Sequence, residues 1–271
     1  MDTIQESVRL KYAETAIKLR DGGSCCNSSC CGGSDAVSGP IGADEYSKAE
    51  VADLGLSLGD SLGCGNPTAL AQLRPGEIVL DLGSGAGLDV LLSARRVTPG
   101  GHAYGVDMTD EMLALANENK ARAGVANATF LKGTIEAVPL PGAAVDVVIS
   151  NCVINLAADK MAVLKEAFRL LKPGGRLAVS DMVELEPLPP QVKSTMDAWA
   201  GCVAGTIPVD AYRDAVIGAG FDTVDIEITN SFGPGEGDFP ESSGKIASAF
   251  IRAAKPKKEV TVDVPRVSVR A

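Results

Sequence analysis

The run Ile78-Val79-Leu80-Asp81-Leu82 leads directly into Gly83-Ser84-Gly85-Ala86-Gly87-Leu88-Asp89, and this junction constrains the fold more than any other stretch. Apolar residues without alternation read as a strand buried on both faces, the habit of a parallel sheet. Glycines at 83, 85 and 87 permit positive φ and a close approach of backbone to a ligand. Helical spacing resumes over Leu88 to Arg96. A strand, a tight glycine turn and a helix in that order put the turn at the carboxyl end of a strand, where open α/β sheets bind their ligands. A second apolar run, His102 to Val106, ends on Asp107. An acidic side chain there can accept hydrogen bonds from ribose hydroxyls.

The rest of the chain repeats this alternation. Thr129 to Lys132, Val145 to Ser150 and Arg176 to Ser180 read as further strands. A helix opens at Met108-Thr109-Asp110, with Thr109 as its N-cap, and another spans Asp159 to Leu171. From 78 to 180 the pattern amounts to five strand–helix units, hence an α/β, doubly wound, mostly parallel sheet. The pattern changes after Asp181. A proline-rich break (Leu185 to Pro190) precedes helices over Val192 to Val203 and Pro208 to Gly220, then strands over Val224 to Thr229 and Ala247 to Ala253 around a glycine-rich loop. Residues 2 to 20 read as an amphipathic helix stopped by Asp21-Gly22-Gly23, and 45 to 58 as a helix entering the main domain. The expected division is 1–45 as N-terminal helix and cysteine-rich segment, 46–184 as the ligand-binding domain, and 185–271 as a smaller α+β C-terminal domain with a tail. Valines 260, 262 and 264 in that tail suit an edge strand or a frayed end.

A net charge of −10 argues against nucleic acid, whose phosphates attract Lys and Arg, and favours a small-molecule substrate. No apolar run is long enough to cross a bilayer and no signal peptide is evident, so a cytoplasmic, membrane-free protein is expected, with a monomer as the default. In a reducing compartment the 7 cysteines are ligands or redox groups rather than staples. Cys25, Cys26, Cys30 and Cys31 fall in a small-residue loop that suits thiolate capture of a soft ion, or is a tolerated linker. Their spacing does not fit a zinc ribbon. Cys64 lies between two glycines, Cys152 at the carboxyl end of the fourth strand, and Cys202 near the end of a helix carrying the single tryptophan, Trp199. His102 is the only histidine and reads as structural, which removes histidine triads and histidine zinc sites.

The loop D-L-G-S-G-A-G departs from the G-x-G-x-x-G of dinucleotide folds. It resembles the first motif of class I S-adenosylmethionine (SAM) methyltransferases. Gly63-Cys64-Gly65, Asp107-Met108-Thr109, Ser150-Asn151-Cys152-Val153-Ile154-Asn155-Leu156 and Trp199-Ala200-Gly201-Cys202 accompany it in one order. Together, from about residue 46 to about 230, the chain resembles the arsenite SAM-methyltransferases, and S-N-C-V-I-N-L is the most specific part. The resemblance implies a Rossmann-like fold, SAM as methyl donor and arsenite or its thiol conjugates as acceptor. It implies that Cys152 and Cys202 hold trivalent arsenic, with Cys64 as a third thiol. A further N-terminal cysteine would pair with Cys64 during turnover, a role for which Cys25, Cys26, Cys30 and Cys31 compete. A thioredoxin or glutathione type reductant would reopen the disulfide.

Around the cofactor, the resemblance implies Gly83, Ser84, Gly85 and Gly87 at the amino-acid end of SAM and Asp81 at its ammonium. It puts Asp107 at the ribose, Met108, Thr134, Ile135 and Glu136 about the adenine, and Asn151 beside the methyl. The acceptor's own lone pair would be the nucleophile, so the lack of histidines is no obstacle. Two other readings remain: a carbon- or oxygen-methyltransferase of a small metabolite, and a non-catalytic metalloid-binding protein.

Overall fold

The apolar runs of the first half become strands because each is flanked by turn residues and can bury both faces. In the computed structural model, which describes residues 3–20, 48–56, 65–195, 198–199, 202–231 and 244–257, they are β1 (Ile78–Leu82), β2 (His102–Asp107), β3 (Ala128–Lys132), β4 (Val145–Asn151) and β5 (Leu171–Glu184). β6 (Asp222–Ser231) and β7 (Ile246–Ala254) follow. They form one 7-stranded sheet in the order β3-β2-β1-β4-β5-β7-β6. The first five are mutually parallel, and β7 runs antiparallel to both β5 and β6. Residues beyond 184 therefore share their sheet with those before it.

The helices are α1 (Thr3–Arg20), α2 (Lys48–Asp53), α3 (Pro67–Leu70), α4 (Leu88–Arg96), α5 (Asp110–Ala123), α6 (Lys160–Leu170), α7 (Pro190–Lys193) and α8 (Val209–Gly218). Side chains alternate across a strand, so β1 feeds two cores. Leu80 and Leu82 pack with Val163, Leu164 and Val216 of α6 and α8. Val79 packs with Ala71 and Val97 on the other side. The core is mostly aliphatic, in keeping with a chain of 4% aromatic residues, with Tyr212, Phe221 and Phe250 buried in it. None of the helices among the described residues is long and apolar enough to cross a membrane.

Two expectations are corrected. β3 is not followed by a helix: Gly133 to Ala144 form turns with an isolated bridge between Thr134 and Ala137. Pro139 and Pro141 lack the N–H groups a helix needs, and Gly142 follows them. The units from 78 to 180 therefore include one bare crossover. Lys172-Pro173-Gly174-Gly175 does not separate α6 from a short strand. It lies within β5, where Val145 pairs Leu171 and Val147 pairs Arg176, a register shift that absorbs the extra residues. β5 then runs on to Glu184 because β7 pairs with it as far as Ile246. The tail valines, and the glycine-rich loop from 232 to 243, lie outside the described residues.

Gly87 joins β1 to α4 at φ +90, and a Cβ there would stand 2.6 Å from Phe130 Cζ and 3.2 Å from Ala116 Cβ. Gly87→Ala should therefore combine a left-handed backbone with overpacking and lower unfolding free energy by about 2–4 kcal/mol. Urea denaturation monitored by circular dichroism checks this.

Candidate active site

Strand order reverses between β1 and β4, so the chain leaves these neighbours in opposite directions and opens a crevice at their carboxyl ends. The glycine loop enters it from β1. Gly83 N–H and Ser84 N–H both donate to the Val106 carbonyl at 2.9 Å, tying the loop to β2. Gly85 N–H donates to Asp107 Oδ2 at 3.0 Å. Asn119 Nδ2 donates to the Ala86 carbonyl at 3.0 Å from α5. A Cβ on Gly85 would meet only Met112 Sδ, at 4.0 Å, so this glycine borders open space.

A cleft of about 440 Å³ lies over the loop. Asp81, Gly83, Ser84, Gly85 and Asp107 line one part of it, Met108, Thr134, Ile135 and Glu136 another, and Asn151 and Cys152 a third. Ten of the expected cofactor residues thus converge on one space. Gly87 does not. Its α-carbon faces Phe130 and Ala116, so its task is to seat α4 against β3 and α5 rather than to approach a ligand. Asp107 does more than line the cleft: its carboxylate accepts from Gly85 N–H, from Thr109 N–H at 2.9 Å and from the Thr109 hydroxyl. Thr109 stands at the N-cap of α5, yet its hydroxyl is spent on Asp107 instead of on the helix.

Three carboxylates crowd this end of the cleft. Asp81 is fully buried, and desolvation, then Asp89 and Asp107, hold its carboxyl well above the usual range. Burial likewise raises Asp107, against the hydrogen bonds from Thr109, Gly85 and Met108. Such a site favours a cation. Ser84 Oγ and Glu136 Oε2 are buried there without a hydrogen-bond partner among the described residues. SAM, with a sulfonium and an ammonium and with adenine and ribose donors, fits this set of acceptors.

Asp89, to which the sequence assigns no role, lines the cleft and accepts from Asn151 Nδ2 at 3.2 Å. Its place in the first turn after the last glycine was a usable signal, since helix N-termini favour carboxylates. α1 has no role assigned from the sequence either, and its Gln5, Val8 and Tyr12 line the cleft. An amphipathic pattern does not say which surface a helix will cover.

Cys152 follows β4 at φ +57 and is 5% exposed; Cys202 adopts φ +61 and is 7% exposed. They share one apolar cluster with Val8, Leu156, Met182 and Trp199. Cys202 Sγ donates to the Cys152 carbonyl at 2.8 Å. Cys152 lines the cleft and Cys202 lies against it. Cys202 is a free thiol, and Cys152 is disulfide-bonded. Cys25, Cys26, Cys30, Cys31 and Cys64 all lie outside the described residues.

Charged groups stand behind the thiols. Asp181 is fully buried, accepting from Asn155 N–H at 3.1 Å, Met182 N–H at 3.0 Å and the Tyr212 hydroxyl at 3.3 Å. Burial raises its pKa from 3.8 to about 7. Lys160 Nζ reaches the carbonyls of Ala157 (3.3 Å) and Asn155 (3.4 Å) and stands 5.8 Å from the Trp199 ring. Burial lowers the Lys160 pKa, opposed by Asp181 and Cys202. Burial first, and Asp181 next, push the Cys202 thiol up.

The sheet order and the glycine cradle define a SAM-dependent methyltransferase of the Rossmann-like class I type, and a family described as a methyltransferase domain matches residues 73–237. An arsenite methyltransferase of Halobacterium salinarum is 42% identical over 270 residues, taking in 94% of this chain and 67% of that protein. One from Aquipseudomonas alcaligenes is 42% identical over 152 residues, 54% of this chain and 43% of its own length. The crystal structure of CrArsM, an arsenic (III) S-adenosylmethionine methyltransferase from Chlamydomonas reinhardtii, superposes with a TM-score of 0.65 at 32% identity, over 77% of this chain and 73% of that one. The chain belongs to the arsenite methyltransferases. It spans about two thirds of the Halobacterium relative and less than half of the Aquipseudomonas one.

Two outcomes follow from the electrostatics. Asp81→Asn relieves like-charge repulsion in the ligand-free protein but removes a carboxylate from the cationic cofactor. Calorimetric titration should show SAM binding weakened by about tenfold or more, at a cost of at least 1.4 kcal/mol. Because the folded-state pKa of Asp181 is raised, the stability it contributes is full below pH 3.8 and is lost as pH climbs to about 7. Urea unfolding between these limits should show wild type losing stability relative to Asp181→Asn, the difference levelling off above them.

Proposed function

We propose that the methyl acceptor is trivalent arsenic bound as a thiolate complex by Cys152 and Cys202, with Cys64 as third thiol. The observation that carries this reading is the 2.8 Å contact between Cys202 Sγ and the Cys152 carbonyl, which joins parts of the chain 50 residues apart beside the cofactor cleft. Trivalent arsenic is soft and takes sulfur ligands. Each thiol that joins it forms an S–As bond as an As–O bond breaks, and the thiol proton leaves with the hydroxide as water.

SAM, when bound, supplies an electrophilic methyl. The chain's part is alignment. The glycine loop and the carboxylates Asp81, Asp89 and Asp107 hold the cationic cofactor, Asn151 borders the reacting end, and the thiolates turn the arsenic lone pair toward it. Orientation of this kind is worth roughly 7–11 kcal/mol where it is tight. Proton abstraction has no place, so the site needs no general base. Each transfer oxidises arsenic formally by two electrons. Two neighbouring thiols return it to the trivalent state by closing to a disulfide, and a dithiol of the thioredoxin type or glutathione reopens that bond. The reading places the enzyme in the reducing cytoplasm, acting as a monomer.

Purified protein with SAM, arsenite and a dithiol should release methylated arsenicals, separated by chromatography over time. Cys152→Ser or Cys202→Ser should lower the rate by more than the roughly 10–100-fold that loss of an outer-shell partner costs a metal site. Methyl transfer to an organic acceptor, undiminished in Cys152→Ser, would sink the reading.

A further inference from the structure

Asn155 and Gly205 do not line the cleft, yet they meet where the two cysteine-bearing segments touch. Cys152 stands in a turn fastened to the end of β5. Its N–H donates to the Ser180 carbonyl at 2.8 Å, Asn155 N–H to Asp181 Oδ2 at 3.1 Å, and Asn155 Nδ2 to the Met182 carbonyl at 2.6 Å. The Asn155 carbonyl accepts from Lys160 Nζ at 3.4 Å, and Asn155 is fully buried. The segment that carries Cys202 is tied to itself. Val203 N–H and Ala204 N–H both donate to the Ala198 carbonyl at 2.9 Å. The Thr206 hydroxyl lies 2.8 Å from the Val203 carbonyl and 3.2 Å from Glu184 Oε1. Gly205, in the same segment, is buried against Asn155: a Cβ there would stand 1.8 Å from the Asn155 carbonyl oxygen and 3.0 Å from Trp199 Cζ3. Its φ is not left-handed, so space, not backbone conformation, calls for glycine at this position.

An arsenic atom held by two sulfurs needs them at one separation, because its bond lengths and the angle between them are set by its own chemistry. In the free protein the S–H of Cys202 joins the two segments through the Cys152 carbonyl. That bond needs the thiol proton, which departs when the sulfur binds arsenic. The seat of Gly205 on the Asn155 carbonyl needs no proton and remains. We propose that Asn155 is a positioning residue of the acceptor site. Fixed to β5, its carbonyl is the stop against which Gly205 seats the Cys202 segment, and this contact sets the separation of the two sulfurs. This rests on the thiolate reading above.

The test uses the full chain, reduced, with Cys25, Cys26, Cys30, Cys31 and Cys64 replaced by serine, which leaves Cys152 and Cys202 as its thiols. Phenylarsine oxide is the probe. Its trivalent arsenic forms two As–S bonds as its oxygen leaves with both thiol protons as water, and no oxidation state changes. Binding is followed by the fluorescence of Trp199, the chain's single tryptophan, whose carbonyl accepts from Cys202 N–H. SAM binding by calorimetry and alkylation of each thiol by iodoacetamide are measured alongside. Gly205→Ala should weaken phenylarsine oxide binding by about tenfold or more, as misplacement of a reacting pair does, with SAM binding unchanged and both thiols still alkylated. Asn155→Ala frees the turn from the Met182 carbonyl and should weaken binding by about fivefold, the scale of one neutral hydrogen bond. Gly101→Ala is the control for overpacking away from the cleft, since a Cβ there would stand 2.5 Å from the Glu77 and Val97 carbonyls. It should leave both ligands bound within about twofold. Unchanged phenylarsine oxide binding in Gly205→Ala, or an equal loss in Gly101→Ala, overturns the proposal while the thiolate reading stands. Should Gly205→Ala fail to bind SAM, Asn155→Ala decides on the same terms. Undiminished binding after Cys202→Ser in the same chain overturns the thiolate reading itself.

Discussion

The reversal of strand order between β1 and β4 is the constraint from which the rest of the molecule follows. Two parallel neighbours whose connections depart in opposite directions cannot close over their own carboxyl ends, and the gap is where a ligand fits. The glycine loop occupies one wall of that gap and the Asn151-Cys152 turn the other. Asp107, from the next strand out, accepts the Gly85 N–H, so a buried carboxylate braces the cradle before any ligand arrives.

That brace carries an electrostatic penalty. Asp81, Asp89 and Asp107 line one end of the cleft; burial raises the pKa of Asp81 and of Asp107, and Asp81 is raised further by Asp89 and Asp107. A positive charge in the cleft relieves that repulsion, so the three carboxylates make the cleft selective for cations. A nicotinamide dinucleotide, with its anionic diphosphate, would meet the opposite sign of field.

On the other wall the chemistry is sulfur. Two non-glycine residues, Cys152 and Cys202, sit at positive φ, a backbone setting that costs about 1–3 kcal/mol each and persists where surrounding structure holds it. The holding is visible: Cys152 N–H donates to the Ser180 carbonyl at 2.8 Å, Cys202 N–H to Trp199, and Gly205 has no Cβ because one would strike the Asn155 carbonyl. Burial of Cys202 disfavours its charged form, and Lys160 and the Tyr12 hydroxyl are the groups that oppose this. The glycine-loop wall is thus acidic and the cysteine wall soft and largely apolar.

The sequence by itself determined the parallel sheet and the position of the glycine cradle, because apolar runs and glycine turns are local signals, and its resemblance to a family pointed to ten of the residues that line the cleft. It also marked Cys152, since a cysteine just past a buried strand points at the crevice. It misread Gly87, whose packing role depends on Phe130 from another strand, and the connection after β3, where prolines outweighed the expected alternation. Only the tertiary structure decided that the antiparallel strands after residue 184 extend the same sheet, that Asp89 joins the other two carboxylates, and that α1 covers the cleft. Those facts depend on which surfaces meet across long stretches of chain, and periodicity carries no information about a helix's partner or a strand's neighbour.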